Sequence, residues 1–181
     1  MTFQKVGLKH MMMRIQAMSK YYLAFYKGKT SSNYGWFRNL TFRLYNRMTK
    51  FFTKGKYSHV ELVIKEDTEE YFTCYSSSYM DKGVRVKKML LPTDKWDLVE
   101  IHNIDKAKIE KFYQQTKDKD YDLIGAIGVV AGLREHPNKY FCSEWCFDCL
   151  FNSDQGWRFS PNHLYSIIVG KNNYDSKNGK V

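Results

Sequence analysis

The feature of this sequence that most limits its fold is a run of four short strand-like segments between Tyr57 and His102, joined by turn-like residues. In the first of them Val60, Leu62 and Ile64 recur at every second position, which is the period of a strand with one apolar face. No helical pattern separates the four segments, so they favour consecutive antiparallel strands of one small sheet. The predicted strands are Tyr57–Lys65, Tyr71–Ser76, Val84–Lys88 and Trp96–His102.

The other predicted elements lie before and after this run. A β-prone segment comes early in the chain, at Tyr21–Tyr26, and apolar residues at helical spacing predict several helices. Strands and helices that are segregated along a chain in this way point to the α+β class. The predicted helices are Trp36–Thr53, Ile104–Lys117, a buried helix over Leu123–Leu133, Cys142–Phe151, and a short last one over Leu164–Val169 with Ser160 as its cap and Pro161 in its first turn.

The length of 181 residues fits a single domain, which we expect over residues 21–170. A basic tail or short helix at residues 1–20 precedes it, and a polar tail at residues 171–181 follows it. The longest uncharged apolar run, Leu123–Leu133, is about half the ~20 residues that a membrane-spanning helix needs, so no such helix is expected. Arg14 and Gln16 interrupt the apolar residues near the start, which therefore makes a poor secretory signal.

The net charge of +10 is concentrated in the first third of the chain. The first sixty residues contain twelve Lys and Arg and no Asp or Glu, whereas the rest has seventeen basic and nineteen acidic side chains, a net charge of −2. Along the helix predicted over Trp36–Thr53 and the residue just after it, a basic stripe of Arg43, Arg47, Lys50 and Lys54 suits a solvated helix face or an anionic lipid or acidic protein surface. No zinc-finger or RNA-binding signature accompanies the basic residues, so specific nucleic-acid binding is not expected.

Cys142 is the residue best placed for chemistry, because it stands at the beginning of a predicted helix. Unpaired backbone N–H groups and the positive end of the helix dipole favour a thiolate there and could stabilise a developing oxyanion. A reactive thiolate needs a base, and His59 on the first predicted strand can supply one if the fold brings the two together. Four cysteines, three of them clustered, do not resemble a secreted disulfide framework and indicate a reduced, intracellular protein.

Three short segments are similar to motifs of a known family. Tyr57-Ser58-His59-Val60-Glu61-Leu62, Gly83-Val84-Arg85 and Tyr140-Phe141-Cys142-Ser143-Glu144 resemble the circularly permuted NlpC/P60 branch of papain-like enzymes. This is the YiiX/YebB-like group, to which lecithin:retinol acyltransferase-type proteins are related. The His strand precedes the Cys helix, as in permuted members, and the resemblance covers about Tyr21 to Val169. Several viral and phage members carry the same order of elements, which indicates a viral or bacteriophage protein.

The resemblance implies a permuted papain-like α+β fold, with a small antiparallel sheet packed against the Cys-bearing helix. It implies that Cys142 is the nucleophile and His59 the general base of a cysteine hydrolase, such as a thiol protease, or of an acyltransferase. The substrate would be a peptide amide or an acyl group, and no cofactor is expected. Such a protein would be cytoplasmic, in the host if it is phage-encoded, or virion-associated.

The group that orients His59 is the point at which this chain departs from the family. Relatives often have a polar residue on the next strand, where this chain reads Cys74-Tyr75-Ser76-Ser77-Ser78 and has no carboxylate. Ser76 or Ser77 could accept a hydrogen bond from the imidazole, less strongly than a carboxylate would. Glu61, on the same strand face as His59, and Glu144 are the other candidates, although Glu61 could equally be a solvated side chain.

Two other interpretations of the cysteines and one of the whole protein stay open. Cys142, Cys146 and Cys149 fall on one side of a helix, so they could bind zinc with a histidine, and their spacing matches the cluster loop of radical S-adenosylmethionine enzymes. We favour the simpler interpretation that Cys146 and Cys149 are small buried residues and that no metal is bound. The alternative to an enzyme is a non-catalytic structural or binding protein on the same fold, associated with a virion.

Overall fold

The computed structural model describes residues 19–28, 55–129 and 138–179. The N-terminal tail up to residue 18, the helix predicted over Trp36–Thr53 and the basic stripe that it carries lie outside the described residues. The same is true of residues 130–133, the last four of the segment predicted as a helix over Leu123–Leu133.

The described strands form one sheet. They are β1 (Ser19–Tyr26), β2 (His59–Glu66), β3 (Phe72–Ser78), β4 (Gly83–Met89), β5 (Trp96–Glu100), β6 (Asp120–Tyr121) and β7 (Lys139–Tyr140). The order of the strands across the sheet is β5-β1-β2-β3-β4-β6-β7, and each neighbouring pair is antiparallel except β6 and β7, which are parallel. The five strands predicted from alternating or β-prone residues are all present, and their ends lie within two residues of the predicted ones.

The described α-helices are α1 (Lys106–Thr116), α2 (Leu123–Gly128), α3 (Cys142–Phe151) and α4 (Pro161–Lys177). Three of them, α1, α3 and α4, pack on one face of the sheet. Apolar side chains of β1 to β4 form a single core with these three helices, in which Leu62 and Trp145 are fully buried. A smaller cluster around Ala24, Val63 and Cys74 covers the opposite face. The molecule is therefore an α+β structure, as predicted.

Trp145 fixes α3 against the sheet. Its ring lies parallel to that of Tyr75 on β3, with centroids 6.4 Å apart, and its indole N–H donates to Thr116 Oγ1 at 2.8 Å. Burying an indole without a partner for its N–H would be costly, so this hydrogen bond permits the largest buried side chain of the core to lie there. As a result the helix that begins with Cys142 is held rigidly over β2 and β3.

Two helices differ from the sequence prediction. The helix over Leu123–Gly128 was expected to be buried, but Ile124 is 79% exposed, and the residues that face the protein are Gly125 and Gly128. The prediction was wrong because the buried positions of this helix are its glycines, whereas the apolar side chains of Leu123 and Ile124 are exposed. The last helix was expected to be short, with a polar tail from residue 171, yet α4 continues to Lys177. Its second half is solvent-facing and needs no apolar pattern.

Among the residues that the structure describes, no helix has both the length and the apolar character needed to cross a membrane.

The core predicts a clear contrast between two substitutions. Leu62→Ala should lower the free energy of unfolding by about 2–5 kcal/mol, because it deletes a fully buried side chain from the strand under α3. Tyr174→Ala, at a position on α4 that is 63% exposed, should change it by less than about 0.5 kcal/mol. Urea denaturation measures both, and equal effects would contradict the core described above.

Candidate active site

His59 is the first residue of β2 and pairs with Tyr26, the last residue of β1. The hydrogen bond from Ser58 N to Tyr26 O, at 3.1 Å, fixes the chain just before it. The imidazole is 16% exposed and lies edge-on to the Trp96 ring at 6.3 Å. The strand end therefore holds the ring in a defined place while leaving part of it open to solvent.

Cys142 is the first residue of α3, as the sequence predicted. Phe141 before it is extended, and its backbone N–H donates to Glu144 Oε2 at 3.2 Å. Ser77 Oγ donates to Tyr140 O at 2.6 Å, which ties the approach to the helix to β3. These contacts fix where the helix begins, and Cys142 therefore stands in the first turn, whose backbone N–H groups have no intrahelical acceptors.

The fold places the Cys142 sulfur beside the His59 imidazole, close enough for its charge and a hydrogen bond to raise the pKa of His59. The packing of α3 on β2 explains this, because Cys146 Sγ, one turn further along the helix, lies 3.9 Å from Val60 O. The beginning of α3 is thereby placed opposite the beginning of β2. Two residues separated by more than eighty positions thus form a pair of the kind that supports nucleophilic catalysis.

Glu61 holds the other side of the His59 ring. Its Oε1 atom is 2.7 Å from His59 Nε2, and its side chain is only 1% exposed. With Nε2 engaged by Glu61, Nδ1 is the ring nitrogen left to exchange a proton with the sulfur. Glu61 was one of four predicted candidates for this position, and with its side chain 1% exposed it is not the solvated side chain of the alternative interpretation.

The charges around His59 support its cationic form. Burial alone would lower the pKa of His59, but the neighbouring Cys142 sulfur and Glu61 carboxylate, through charge and hydrogen bonds, raise it to about 9. Burial alone would raise the pKa of Glu61, but the charges of Arg85 and His59 lower it to about 2. At neutral pH the imidazolium is therefore favoured, with the ionised Glu61 carboxylate on one side and the Cys142 sulfur on the other.

Arg85 on β4 is the site residue to which the sequence analysis gave no role. Its guanidinium Nη1 donates to Glu61 Oε2 at 2.6 Å, and its Nη2 donates to Glu61 Oε1. The signal was present in the Gly83-Val84-Arg85 motif and in the strand period, which puts Arg85 on a defined face. Which residue it faces depends on the pairing of three strands, and the sequence alone does not give that register.

The remaining candidates for orienting His59 have other partners. Ser76 Oγ donates to Val60 O at 2.8 Å, so the expected role for Ser76 is replaced by a backbone contact between β3 and β2. Ser77 donates to Tyr140 O, and Glu144 accepts from the backbone at the beginning of α3. The hydroxyl and carboxylate groups predicted as alternatives thus stabilise the scaffold, because each of them bonds to a backbone group.

The other three cysteines are buried and unreactive by environment. Burial raises the pKa of Cys149 to about 12 and raises those of Cys74 and Cys146. All four cysteines are free. In the part of the chain that the structure describes, no three His, Cys, Asp or Glu side chains converge as metal ligands would.

A cleft of about 240 Å³ opens beside the imidazole, with His59 and Glu61 in its wall. Tyr26 and Trp96, whose ring centroids are 5.0 Å apart, form an aromatic side. Arg85 contributes to the polar side. The cleft offers space for part of a substrate next to the imidazole, whereas Cys142 itself is only 2% exposed.

The sequence matches no protein-family model, and it shows no significant similarity to a curated protein. The likeness to the permuted NlpC/P60 family therefore rests on the short motifs and their order along the chain.

The site predicts selective alkylation of one cysteine. Iodoacetamide at pH 6.5 should modify Cys142 much faster than the other three, because the His59 imidazole lies beside its sulfur, whereas burial raises the pKa of each of the other thiols. His59→Ala should slow the modification of Cys142 by at least about tenfold. Peptide mass spectrometry gives the rate at each cysteine. Equal rates at all four cysteines, or no effect of His59→Ala, would be evidence against the pair.

Proposed function

We propose that this protein is a cysteine hydrolase of the permuted NlpC/P60 type, with a permuted papain-like fold. The observation that carries the proposal is the contact series from the Cys142 sulfur to the His59 imidazole to the Glu61 carboxylate. Nucleophile, base and orienting group are the three parts of a thiol-dependent acyl-transfer site, recognised by geometry. The order of strand and helix along the chain supports the permuted form of the fold.

The first half of the reaction uses the ion pair. The Cys142 thiolate attacks the carbonyl carbon of an amide or ester, forming a carbon–sulfur bond and an oxyanion. Backbone N–H groups of the first turn of α3 are positioned to stabilise that oxyanion. As the carbon–nitrogen or carbon–oxygen bond breaks, His59 gives its proton to the leaving group, which leaves a thioester on Cys142 and a neutral imidazole.

In the second half, water completes hydrolysis. Neutral His59 removes a proton from the water as its oxygen attacks the thioester carbonyl. The carbon–sulfur bond then breaks, the acid leaves, and the thiolate–imidazolium pair is restored. Glu61 holds the ring through Nε2 in both halves, so Nδ1 remains directed at the reacting atoms. If an alcohol or amine replaces water, the same steps give an acyltransferase.

The substrate and setting belong to the proposal as well. A peptide amide or an acyl group is the proposed substrate, and the protein is proposed to act in the cytoplasm or in a virion. Binding of an anionic lipid or acidic protein surface by the basic stripe stays a prediction, because those residues lie outside the described part of the chain.

Acylation of the enzyme is the most direct test of function. Mixed with p-nitrophenyl acetate, the protein should release a burst of about one equivalent of nitrophenol and gain one acetyl group on Cys142. Cys142→Ser should abolish the burst, and His59→Ala should slow acylation by about 10²–10⁴-fold. Cys149→Ser, which replaces a buried thiol two helical turns away, is the matched control and should keep the burst.

The alternative of a non-catalytic binding or structural protein predicts a different outcome. In that case neither the ester nor a thioester nor a peptide anilide would acylate Cys142 faster than free cysteine. A folded protein that gives this result with all three reagents would contradict the proposed hydrolase.

A further inference from the structure

Arg85 is more deeply engaged than a surface ion pair requires. Its side chain is 14% exposed, and both of its terminal nitrogens bind Glu61. Its Nε donates to Asp81 Oδ2 at 3.1 Å, and its Nη1 also donates to Cys74 O at 3.3 Å. A guanidinium held at each of its nitrogens has one orientation, and it gives Glu61 one orientation in turn.

The strand register explains how Arg85 reaches Glu61 across an intervening strand. Arg85 on β4 pairs with Ser76 on β3. The β2–β3 register, in which Leu62 pairs with Tyr75, places Glu61 next to Ser76 when it is extended by one residue. The three side chains therefore form a row on one face, and the short serine in the middle leaves room for the guanidinium to pass over it.

The charges of Glu61 and Arg85 make the whole site neutral when Cys142 and His59 form an ion pair. A thiolate at Cys142, an imidazolium at His59, a carboxylate at Glu61 and a guanidinium at Arg85 sum to zero. Without Arg85, the buried Glu61 carboxylate would share the imidazolium with the thiolate, leaving one uncompensated negative charge in a site of low polarity. A buried carboxylate in that position takes up a proton, and it then no longer supports the imidazolium.

We propose that Arg85 is a positioning residue for the Cys142–His59 pair, acting through Glu61, which it keeps ionised and oriented towards His59 Nε2. This inference rests on the proposed function, since it assigns Arg85 a part in preparing the same thiolate. It differs from a purely structural role, because it requires that loss of Arg85 change how the reactive pair responds to pH and not only how stable the fold is.

The experiment measures the rate of Cys142 alkylation by iodoacetamide from pH 4 to pH 9, which requires no substrate. In the wild-type protein Glu61 stays ionised throughout this range, because its pKa is about 2. In Arg85→Met, protonation of Glu61 should enter the range, so the acidic limb of the profile should move up by at least about one pH unit. Arg85→Lys, which restores the charge without the two-pronged contact, should return part of the shift.

Two further variants keep the test decisive. If Arg85 acts through Glu61, the profile of Glu61→Gln/Arg85→Met should equal that of Glu61→Gln alone, because the second change has nothing left to act on. The double variant removes both buried charges, so it should fold even if Arg85→Met does not. If Arg85→Met does not fold, Arg85→Gln takes its place as the single variant. Lys88→Met, at a position on β4 whose partner is Glu69 instead, is the control for loss of a positive charge.

The outcomes separate this inference from the proposed function. An unshifted acidic limb in folded Arg85→Met or Arg85→Gln, or a double variant whose limb differs from that of Glu61→Gln, would overturn the positioning role alone. Absence of selective Cys142 alkylation in the wild-type protein would instead contradict the proposed hydrolase. A shift equally large in Lys88→Met would also overturn the role of Arg85, since it would show a general effect of charge.

Discussion

The buried carboxylate of Glu61 is the group on which the site depends. It lies on a central strand and is almost fully removed from water, so it is stable there as an anion only because His59 and Arg85 donate to its two oxygens. The same hydrogen bonds direct the imidazole and leave its other nitrogen towards Cys142. One desolvated ion thus connects the stability of the sheet with the chemistry that we propose for it.

The scaffold around this ion is built from ordinary elements that meet at one place. The end of β1 and the beginning of β2 position His59, and the packing of Trp145 on β3 positions the helix that begins at Cys142. Hydroxyl groups that could have competed for the imidazole are satisfied by backbone carbonyls. This arrangement leaves the ring with Glu61 and the sulfur as its partners among the contacts described, and it separates support of the fold from proton transfer.

Much of this could be predicted from the sequence, and what could not depended on long-range pairing. Alternating residues in β2 and the helical pattern after Cys142 are local signals, and both elements appear with nearly the predicted ends. Strand alternation also put His59 and Glu61 on one face, but burial of Glu61 depends on Arg85, which is brought near by the register of β2, β3 and β4. The exposure of Ile124 was missed because apolar composition does not show which side of a short helix packs. The sequence also left open whether Ser76 or Glu61 orients His59, because both side chains face the same side of the sheet.

The most direct measurement of the central claim is the titration of the His59 ring by NMR, using the ring nitrogen shifts of protein labelled with nitrogen-15. In the wild-type protein the ring should stay protonated up to a pKa of about 9, because the Cys142 sulfur and the Glu61 carboxylate lie against it. In Cys142→Ala one of these two groups is gone, and the pKa should fall by at least about one unit, towards the value of 6.5 for an ordinary histidine. A wild-type value at or below 6.5, or a value that Cys142→Ala leaves unchanged, would contradict the account.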